Sequence, residues 1–234
     1  MRFAICISGL MRTYQTTFDV FRKRLWEPLQ NLGEVDIFIH TWDSLYHPNS
    51  NSFSFYANHA DANKPLDADD LIKIYNPKAM IVENYNELKA TFSIDCGDGH
   101  VYSNNYLPMY YKIHACDKLR QKSNFIYDWV IKWRGDAFLT QKLELEKYSS
   151  NLFNTNDPDE SDGRCRDVFW LTSPEIMTKV TKIWEDMKPL LTTNHTDNSE
   201  LLLYNYIKSK GIQVGRIDGL THCLRPNNVG PVIQ

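Results

Sequence analysis

Residues 127–139 limit the fold of this chain more than any other segment. The segment begins as a short run of aromatic and β-branched residues, which is typical of a strand buried on both faces. It then breaks into Arg134, Gly135 and Asp136. Parallel α/β sheets have helices on both faces and bind ligands just beyond the carboxyl ends of their strands. The segment therefore predicts an α/β sheet with a candidate ligand site at Asp136.

Lys132, Arg134 and Asp136 alternate along this segment, so in an extended chain their side chains point to one side. Two cations beside one carboxylate suit a site that holds a metal ion and a diphosphate together. The alternative is structural, with Asp136 capping a turn at the end of the strand and Arg134 as its ion-pair partner. The segment alone does not decide between these two roles.

The beginning of the chain predicts a strand, a helix and a second strand, the crossover unit of a parallel sheet. The first strand covers Phe3–Ile7 and the second Val35–Ile39. Between them, apolar residues recur at helical spacing, and Pro28 should kink or split the helix. This buried stripe is Phe18, Phe21, Leu25, Leu29 and Leu32.

Similar patterns continue along the chain, without an internal repeat or a second core. They predict strands at 79–82, 167–173 and 212–217, and helices at 66–75, 106–122, from 174, and near 201–207. Residues 44–65 lack a clean period and form a candidate lid or substrate loop, and the acidic run 157–163 is interpreted as a solvated loop. We therefore expect one domain covering residues 1–234.

The polar residues that follow the first two strands are candidate ligand contacts. Ser8, Gly9 and Arg12 lie in a strand-to-helix turn, where main-chain N–H groups and the helix dipole favour an anion. Trp42 and Asp43 follow the second strand. They suit the stacking of a base and the binding of ribose hydroxyls, but a core tryptophan and a turn aspartate are the equal alternative.

Composition and charge exclude several classes of protein. Apolar residues make up 42% and charged residues 24%, which is ordinary for a globular protein. The net charge of -3 argues against nucleic acid as a partner. The chain lacks the roughly 20 consecutive apolar residues of a transmembrane segment, and its first strand is too short for a signal peptide. Five scattered cysteines favour reduced thiols and a cytoplasmic protein.

Several segments, taken in order, resemble a family of small glycosyltransferase-like proteins from surface-polysaccharide gene clusters and large DNA viruses. Residues 8–14 are similar to its opening Ser-Gly-x-x-Arg-Thr followed by Tyr or Phe, and residues 36–43 resemble its second-strand motif. Residues 127–136 are similar to its Tyr-Asp-x-Val-Ile-Arg-x-Arg-x-Asp segment, although Lys132 replaces an arginine and Gly135 is unusual. Asp167 begins a segment like its Asp-x-Phe strand, and Glu200 begins an acid-led helix.

The resemblance implies a GT-A fold, a single Rossmann-like α/β domain with a mixed, mostly parallel sheet flanked by helices. It implies transfer of a sugar from a nucleotide-sugar donor, with a UDP-sugar favoured, to a glycan or other hydroxyl acceptor. Mn²⁺ or Mg²⁺ would be held by Asp136, with His222 as a second ligand. A viral member would act in the host cytoplasm.

The same resemblance gives roles to the remaining candidates. Arg12, Lys132 and Arg134 would share the charge of the leaving diphosphate, and Asp167 would line the donor site together with Ser8, Gly9, Trp42 and Asp43. Glu200 or Asp197 would be the base if the reaction inverts configuration, although acids near a helix start are also favoured by its dipole. The family's paired Asp-x-Asp is here a lone Asp136. A catalytically silent nucleotide-sugar or glycan-binding module is therefore the alternative.

Overall fold

The computed structural model of this protein describes residues 1–45, 64–97, 99–103, 106–156 and 165–217, and the main chain of 221–223. Most of the predicted loop at 44–65 and the acidic run 157–163 lie outside the described residues. Among the described residues, no helix is both long enough and apolar enough to cross a membrane.

Eleven strands form in the described part of the chain. They are β1 (Arg2–Gly9), β2 (Glu34–Trp42), β3 (Ala79–Glu83), β4 (Ile94–Asp95), β5 (Val101–Tyr102), β6 (Trp129–Trp133), β7 (Ala137–Leu139), β8 (Phe153–Asn156), β9 (Trp170–Thr172), β10 (Val214–Ile217) and β11 (Thr221–Cys223).

Seven of these strands form one sheet, in the order β10-β8-β9-β6-β1-β2-β3. β1 pairs in parallel with both β2 and β6, β2 pairs in parallel with β3, and β8 with β10. β9 is antiparallel to both of its neighbours, β6 and β8. The chain thus moves from β1 outwards to β3 and then returns to the other side of β1. The strand order therefore reverses between β1 and β6, which makes this a topological switch point.

The sheet is covered by α1 (Tyr14–Phe21), α2 (Glu27–Gln30), α3 (Ala68–Tyr75), α4 (Tyr85–Leu88), α5 (Tyr106–Gln121), α6 (Pro174–Thr181), α7 (Met187–Asn194) and α8 (Ser199–Ser209). A π-helical segment, Arg22–Trp26, joins α1 to α2 and ends two residues before Pro28. Proline cannot donate the main-chain hydrogen bond of a helix interior, so the change of winding at this point has a local cause.

Alternating residues of the central strands build a separate core on each face of the sheet. Phe3, Ile5 and Ile7 of β1 pack in one core with residues from α1 and α3. Ala4 and Cys6 belong to the other core, which includes residues from α5 and from α6–α8. The structure is thus an α/β fold in which a mostly parallel, mixed sheet lies between helices.

The predicted elements are present, but one predicted side-chain orientation is wrong and several further elements were not predicted. The predicted strands and helices all occur, but Leu32, expected to face inwards, is 43% exposed. The sequence patterns did not predict the strands β4, β5, β7, β8 and β11 or the helices α4 and α7. β8 was not predicted because Phe153–Asn156 contains only one apolar residue, although the whole segment is buried. There the amide of Asn154 donates to the main-chain oxygens of Ser149, Leu152 and Leu171, which satisfies a polar side chain in the core.

Candidate functional site

The candidate site lies at one edge of the sheet, where three strand ends meet. The carboxyl ends of β1 and β6 reach this edge because the two strands are parallel. β9 runs in the opposite direction, so its amino end, just after Asp167, lies at the same edge. We call Arg12, Lys132, Arg134, Asp136 and Asp167 the edge cluster. It lies at the switch point, the position where open α/β sheets bind ligands.

Asp136 is the centre of the edge cluster and has no exposed surface. Arg134 donates from Nε to Oδ1 and from Nη2 to Oδ2 of Asp136, each over 3.1 Å. Arg12 donates from Nη1 to Oδ2 over 2.7 Å. Both carboxylate oxygens therefore already accept charge-assisted hydrogen bonds, one pair of them in the bidentate geometry that guanidinium groups favour.

Asp167, which the resemblance places in the donor site, extends this network. Arg134 Nη1 lies 3.3 Å from Asp167 Oδ2, so one guanidinium group joins two carboxylates. Burial acts to raise the pKa of Asp167, but Arg134 and Lys132 outweigh it and lower the pKa below its ordinary value. The Lys132 ammonium is buried and donates to the main-chain oxygen of Asp167. Lys132 thus holds the Asp167 segment in place rather than facing solvent.

The turn after β1 brings Arg12 to the edge cluster through an uncommon main-chain conformation. Gly9 has φ +96° and Arg12 has φ +22°, both in the region that favours glycine. A non-glycine residue in this region is strained, and such strain occurs often at ligand sites. The Gly9 carbonyl accepts from Thr41 Oγ1 over 2.8 Å, which ties the turn to β2. Ser8 is buried at the end of β1, and its hydroxyl has no hydrogen-bond partner among the described residues.

Gly135 allows the turn after β1 to pack directly on the turn after β6. A Cβ atom at position 135 would lie 2.7 Å from Met11 Sδ and 3.1 Å from Met11 Cα. The Gly135 carbonyl also accepts from Thr17 Oγ1 over 2.8 Å. Because Met11 precedes Arg12, this close approach sets the position of Arg12 relative to Asp136. The unusual glycine in the motif thus has a structural reason.

Gly135→Ala should separate the two turns. We expect a loss of about 1–3 kcal/mol in the free energy of unfolding, because an added methyl group must displace Met11. Chemical denaturation measures this free energy for Gly135→Ala, for Met11→Ala and for the double variant. If the two side chains collide, the double variant will lose less stability than the sum of the single variants. Additive losses would contradict the predicted collision.

The described residues of the edge cluster do not fit a resident divalent cation. Both oxygens of Asp136 are bonded to guanidinium groups, and a metal ion at this carboxylate would lie beside two cations. Exposed side-chain surface remains on Arg12 (18%), Arg134 (16%) and Asp167 (13%), but none on Asp136. The Mn²⁺ or Mg²⁺ site stays a prediction, and a metal ion on this carboxylate would have to displace arginine contacts.

The predicted second metal ligand, His222, can be located only by its main chain. β11 pairs with β7 in antiparallel register, and His222 lies opposite Phe138, two residues after Asp136. The side chain of His222 lies outside the described residues. Among the side chains that are described, no three His, Cys, Asp or Glu residues converge in a way that could hold a metal ion.

Glu200 and Asp197, the two candidate bases, differ in their surroundings. Glu200 lies in the first turn of α8, and its Oε1 accepts from Arg166 Nη1 over 3.0 Å. Arg166 immediately precedes Asp167 in the chain. Glu200 therefore contacts a residue that is the sequence neighbour of the edge cluster. Asp197 is exposed and precedes Asn198, whose side chain caps α8. The structure thus links Glu200 to the edge cluster through Arg166.

Trp42 is a core residue, the structural one of its two predicted roles. Its indole is 1% exposed, and the Lys112 ammonium lies 3.5 Å from the centre of the ring. Lys112 Nζ donates to Glu83 Oε2 and to the Thr41 carbonyl, each over 2.7 Å. Lys112 is therefore fully buried rather than extended to solvent. A base cannot stack on Trp42 in this arrangement.

Burial and the nearby Glu83 have opposite effects on the pKa of Lys112. The sequence patterns did not predict that these two residues pair. Burial lowers the pKa of Lys112 to about 8, although its bond to Glu83 acts in the opposite direction. Glu83 ends β3, so the strand-end rule, applied to that strand, could have found it. Asp43, the predicted ribose contact, is half-buried at the end of β2, and its main-chain N–H donates to the Glu83 carbonyl over 2.9 Å.

Stability should fall in mild acid because of His40, which is buried on β2 near this pair. Burial and the charge of Lys112 lower the pKa of His40 to about 4, against about 6.5 when unfolded. Between these values only the unfolded chain binds the proton, so stability is present above pH 6.5 and is lost as pH falls towards 4. The loss should be about 3 kcal/mol and smaller in His40→Gln, measured by urea denaturation across that window. Exposed His195→Asn is the control, and equal slopes in all three proteins would contradict the prediction.

Comparison of the chain with models of protein families finds no match, and a search of curated proteins finds no similar one. The functional inference therefore depends on the edge cluster. The structure joins Arg12, Lys132, Arg134, Asp136 and Asp167, and it brings Ser8 and Gly9 to the same strand ends. Glu200 is connected through Arg166, whereas Trp42 is in the core and Asp197 is exposed.

Proposed function

We propose that this protein is a glycosyltransferase that uses a nucleotide-sugar donor, with a UDP-sugar favoured, and a glycan or other hydroxyl acceptor. The observation that carries the proposal is a pair of arginines at the switch point of a mostly parallel sheet. Guanidinium groups match phosphate oxygens in charge and geometry, and this edge is where such sheets bind nucleotides. The GT-A identity of the fold is part of the proposal and follows from the resemblance of the motifs.

The reaction requires two kinds of group near the sugar. A nucleoside diphosphate leaves as positive charge grows on the anomeric carbon, so cations must stabilise the departing phosphates. Arg12 and Arg134 have the required charge and partial exposure. An inverting reaction also needs a base for the acceptor hydroxyl, and Glu200 is the better placed of the two candidates because it adjoins the edge cluster through Arg166.

Donor turnover tests this proposal without knowledge of the acceptor. UDP-, GDP- and dTDP-sugars are first compared by their effect on thermal unfolding, because a ligand that binds only the folded chain raises the melting temperature. The stabilising donors are then incubated with the protein, and release of the nucleoside diphosphate is followed with and without a mixture of glycan acceptors. We expect slow release that acceptors accelerate. A panel without any stabilising donor would contradict the proposal.

The same assay separates the enzyme from a silent nucleotide-sugar or glycan-binding module. The alternative is supported by one observation, namely that the carboxylates of both Asp136 and Glu200 are already ion-paired. A donor that binds and raises the melting temperature, but is never cleaved with any acceptor, would favour the binding module.

A further inference from the structure

We infer that the diphosphate of the ligand is bound directly by the guanidinium groups of Arg12 and Arg134, without a bridging divalent cation. This inference rests on the proposed function, because it concerns the same ligand and the same edge of the sheet. It changes the predicted chemistry of the site, since positive charge comes from the protein's own side chains. Asp136 then positions the two arginines instead of binding a metal ion.

The first support is the difference in solvent exposure between Asp136 and the two arginines of the edge cluster. Asp136 is completely buried, whereas the side chains of Arg12 and Arg134 keep 18% and 16% of their surface exposed. A ligand that arrives from solvent therefore meets arginine before it can reach the Asp136 carboxylate. A metal ligand should instead present its oxygens to the incoming ion.

The second support is the orientation that the carboxylates impose. Arg134 is bonded through Nε and Nη2 to Asp136, and Nη1 faces Asp167 over 3.3 Å, so its guanidinium plane is fixed by two separate acids. Arg12 is fixed to the same Asp136 oxygen as Arg134 Nη2. The two guanidinium groups therefore lie side by side on one carboxylate. Ordering them before the ligand arrives reduces the entropy lost on binding.

The third support is the balance of charge. Arg12, Arg134 and Lys132 bring three positive charges to the edge cluster, and Asp136 and Asp167 bring two negative ones. The cluster thus has a net positive charge before any ion binds, although the whole chain has a net charge of -3. A local positive potential attracts phosphate and repels divalent cations.

Binding of inorganic pyrophosphate and of uridine diphosphate, measured by calorimetry, tests the inference. Pyrophosphate is included because it does not depend on which base the protein prefers. We expect both ligands to bind in EDTA, and no more tightly in Mg²⁺ or Mn²⁺. Binding that is about tenfold or more tighter with either metal, or that needs the metal, would overturn the inference while leaving the proposed transferase intact. Donor cleavage is measured separately, so the two proposals can fail independently.

Asp136→Asn tests whether Asp136 positions the arginines or binds a metal ion, because it removes the charge of the carboxylate and keeps its shape. If Asp136 positions the arginines, any loss of affinity will be the same in EDTA as in Mg²⁺. A loss seen only in Mg²⁺ would identify Asp136 as a metal ligand and contradict the inference.

Arg134→Lys provides a second test in case the Asp136 variant does not fold. Lysine keeps the charge but cannot form the bidentate bond. We therefore expect Arg134→Lys to bind pyrophosphate in EDTA more weakly than the original protein and more tightly than Arg134→Gln. Equal binding by all three proteins would exclude Arg134 from the site and overturn the inference.

Discussion

Replacing Arg134 with glutamine is expected to weaken binding of the nucleotide-sugar about tenfold to a hundredfold. A hydrogen bond to a charged group contributes roughly 1.5–3 kcal/mol, which corresponds to that range. Arg134 also joins Asp136 to Asp167, so the variant should unfold at a lower temperature. Affinity is therefore measured by calorimetry at a temperature at which the variant remains folded.

Arg216→Gln is the control for this experiment. Arg216 is exposed on β10, the outermost strand of the sheet and three strands away from β6. Its replacement removes the same charge from the molecule. We expect its donor affinity to equal that of the original protein. If both variants lose affinity equally, the effect comes from net charge and the role of the edge cluster is contradicted.

Glu200→Gln is expected to lower turnover by on the order of 10²–10⁴, the usual contribution of a general base, with little change in donor affinity. Glutamine keeps the shape of the side chain and can still contact Arg166, but it cannot accept the proton of the acceptor hydroxyl. The measurement is the rate of sugar transfer at saturating donor, together with donor affinity by calorimetry. A fall in turnover without a fall in affinity separates proton transfer from binding.

Asp197→Asn is the matched control for Glu200, because both acids lie at the start of α8, and Asp197 is exposed whereas Glu200 is paired with Arg166 beside the edge cluster. We expect the Asp197 variant to keep its turnover. A large loss in Asp197→Asn and none in Glu200→Gln would reverse the assignment. Unchanged turnover in both variants would exclude a base at this position, as in a retaining transferase.

The sequence predicted that Arg134 and Asp136 lie together at the candidate site, because two simple rules agreed there. A buried strand followed at once by Arg134 and Asp136 places charge at a sheet edge, and their alternate spacing directs both to one region. The structure joins them by two hydrogen bonds. It could not be predicted that Arg12 bonds the same carboxylate, because the two residues are 124 positions apart and meet only through a strained turn packed on Gly135.

Other residues of the site depend on features that a single sequence does not reveal. Asp167 reaches the edge because β9 is antiparallel, and the apolar pattern of a strand does not give its direction. The pattern also left Trp42 undecided between base stacking and the core. β2 continues to Trp42, and the indole packs against Tyr85, Phe92 and Lys112. Tertiary contacts thus decided between two roles that local sequence left equal.

A crystal structure with the nucleoside diphosphate that stabilises the protein most would show where the phosphates bind. We expect phosphate oxygens within hydrogen-bonding distance of the Arg12 and Arg134 guanidinium groups, with Asp136 still beneath them. Phosphates bound at another edge of the sheet, or held by a metal ion on Asp136 after the arginines have moved away, would contradict this expectation.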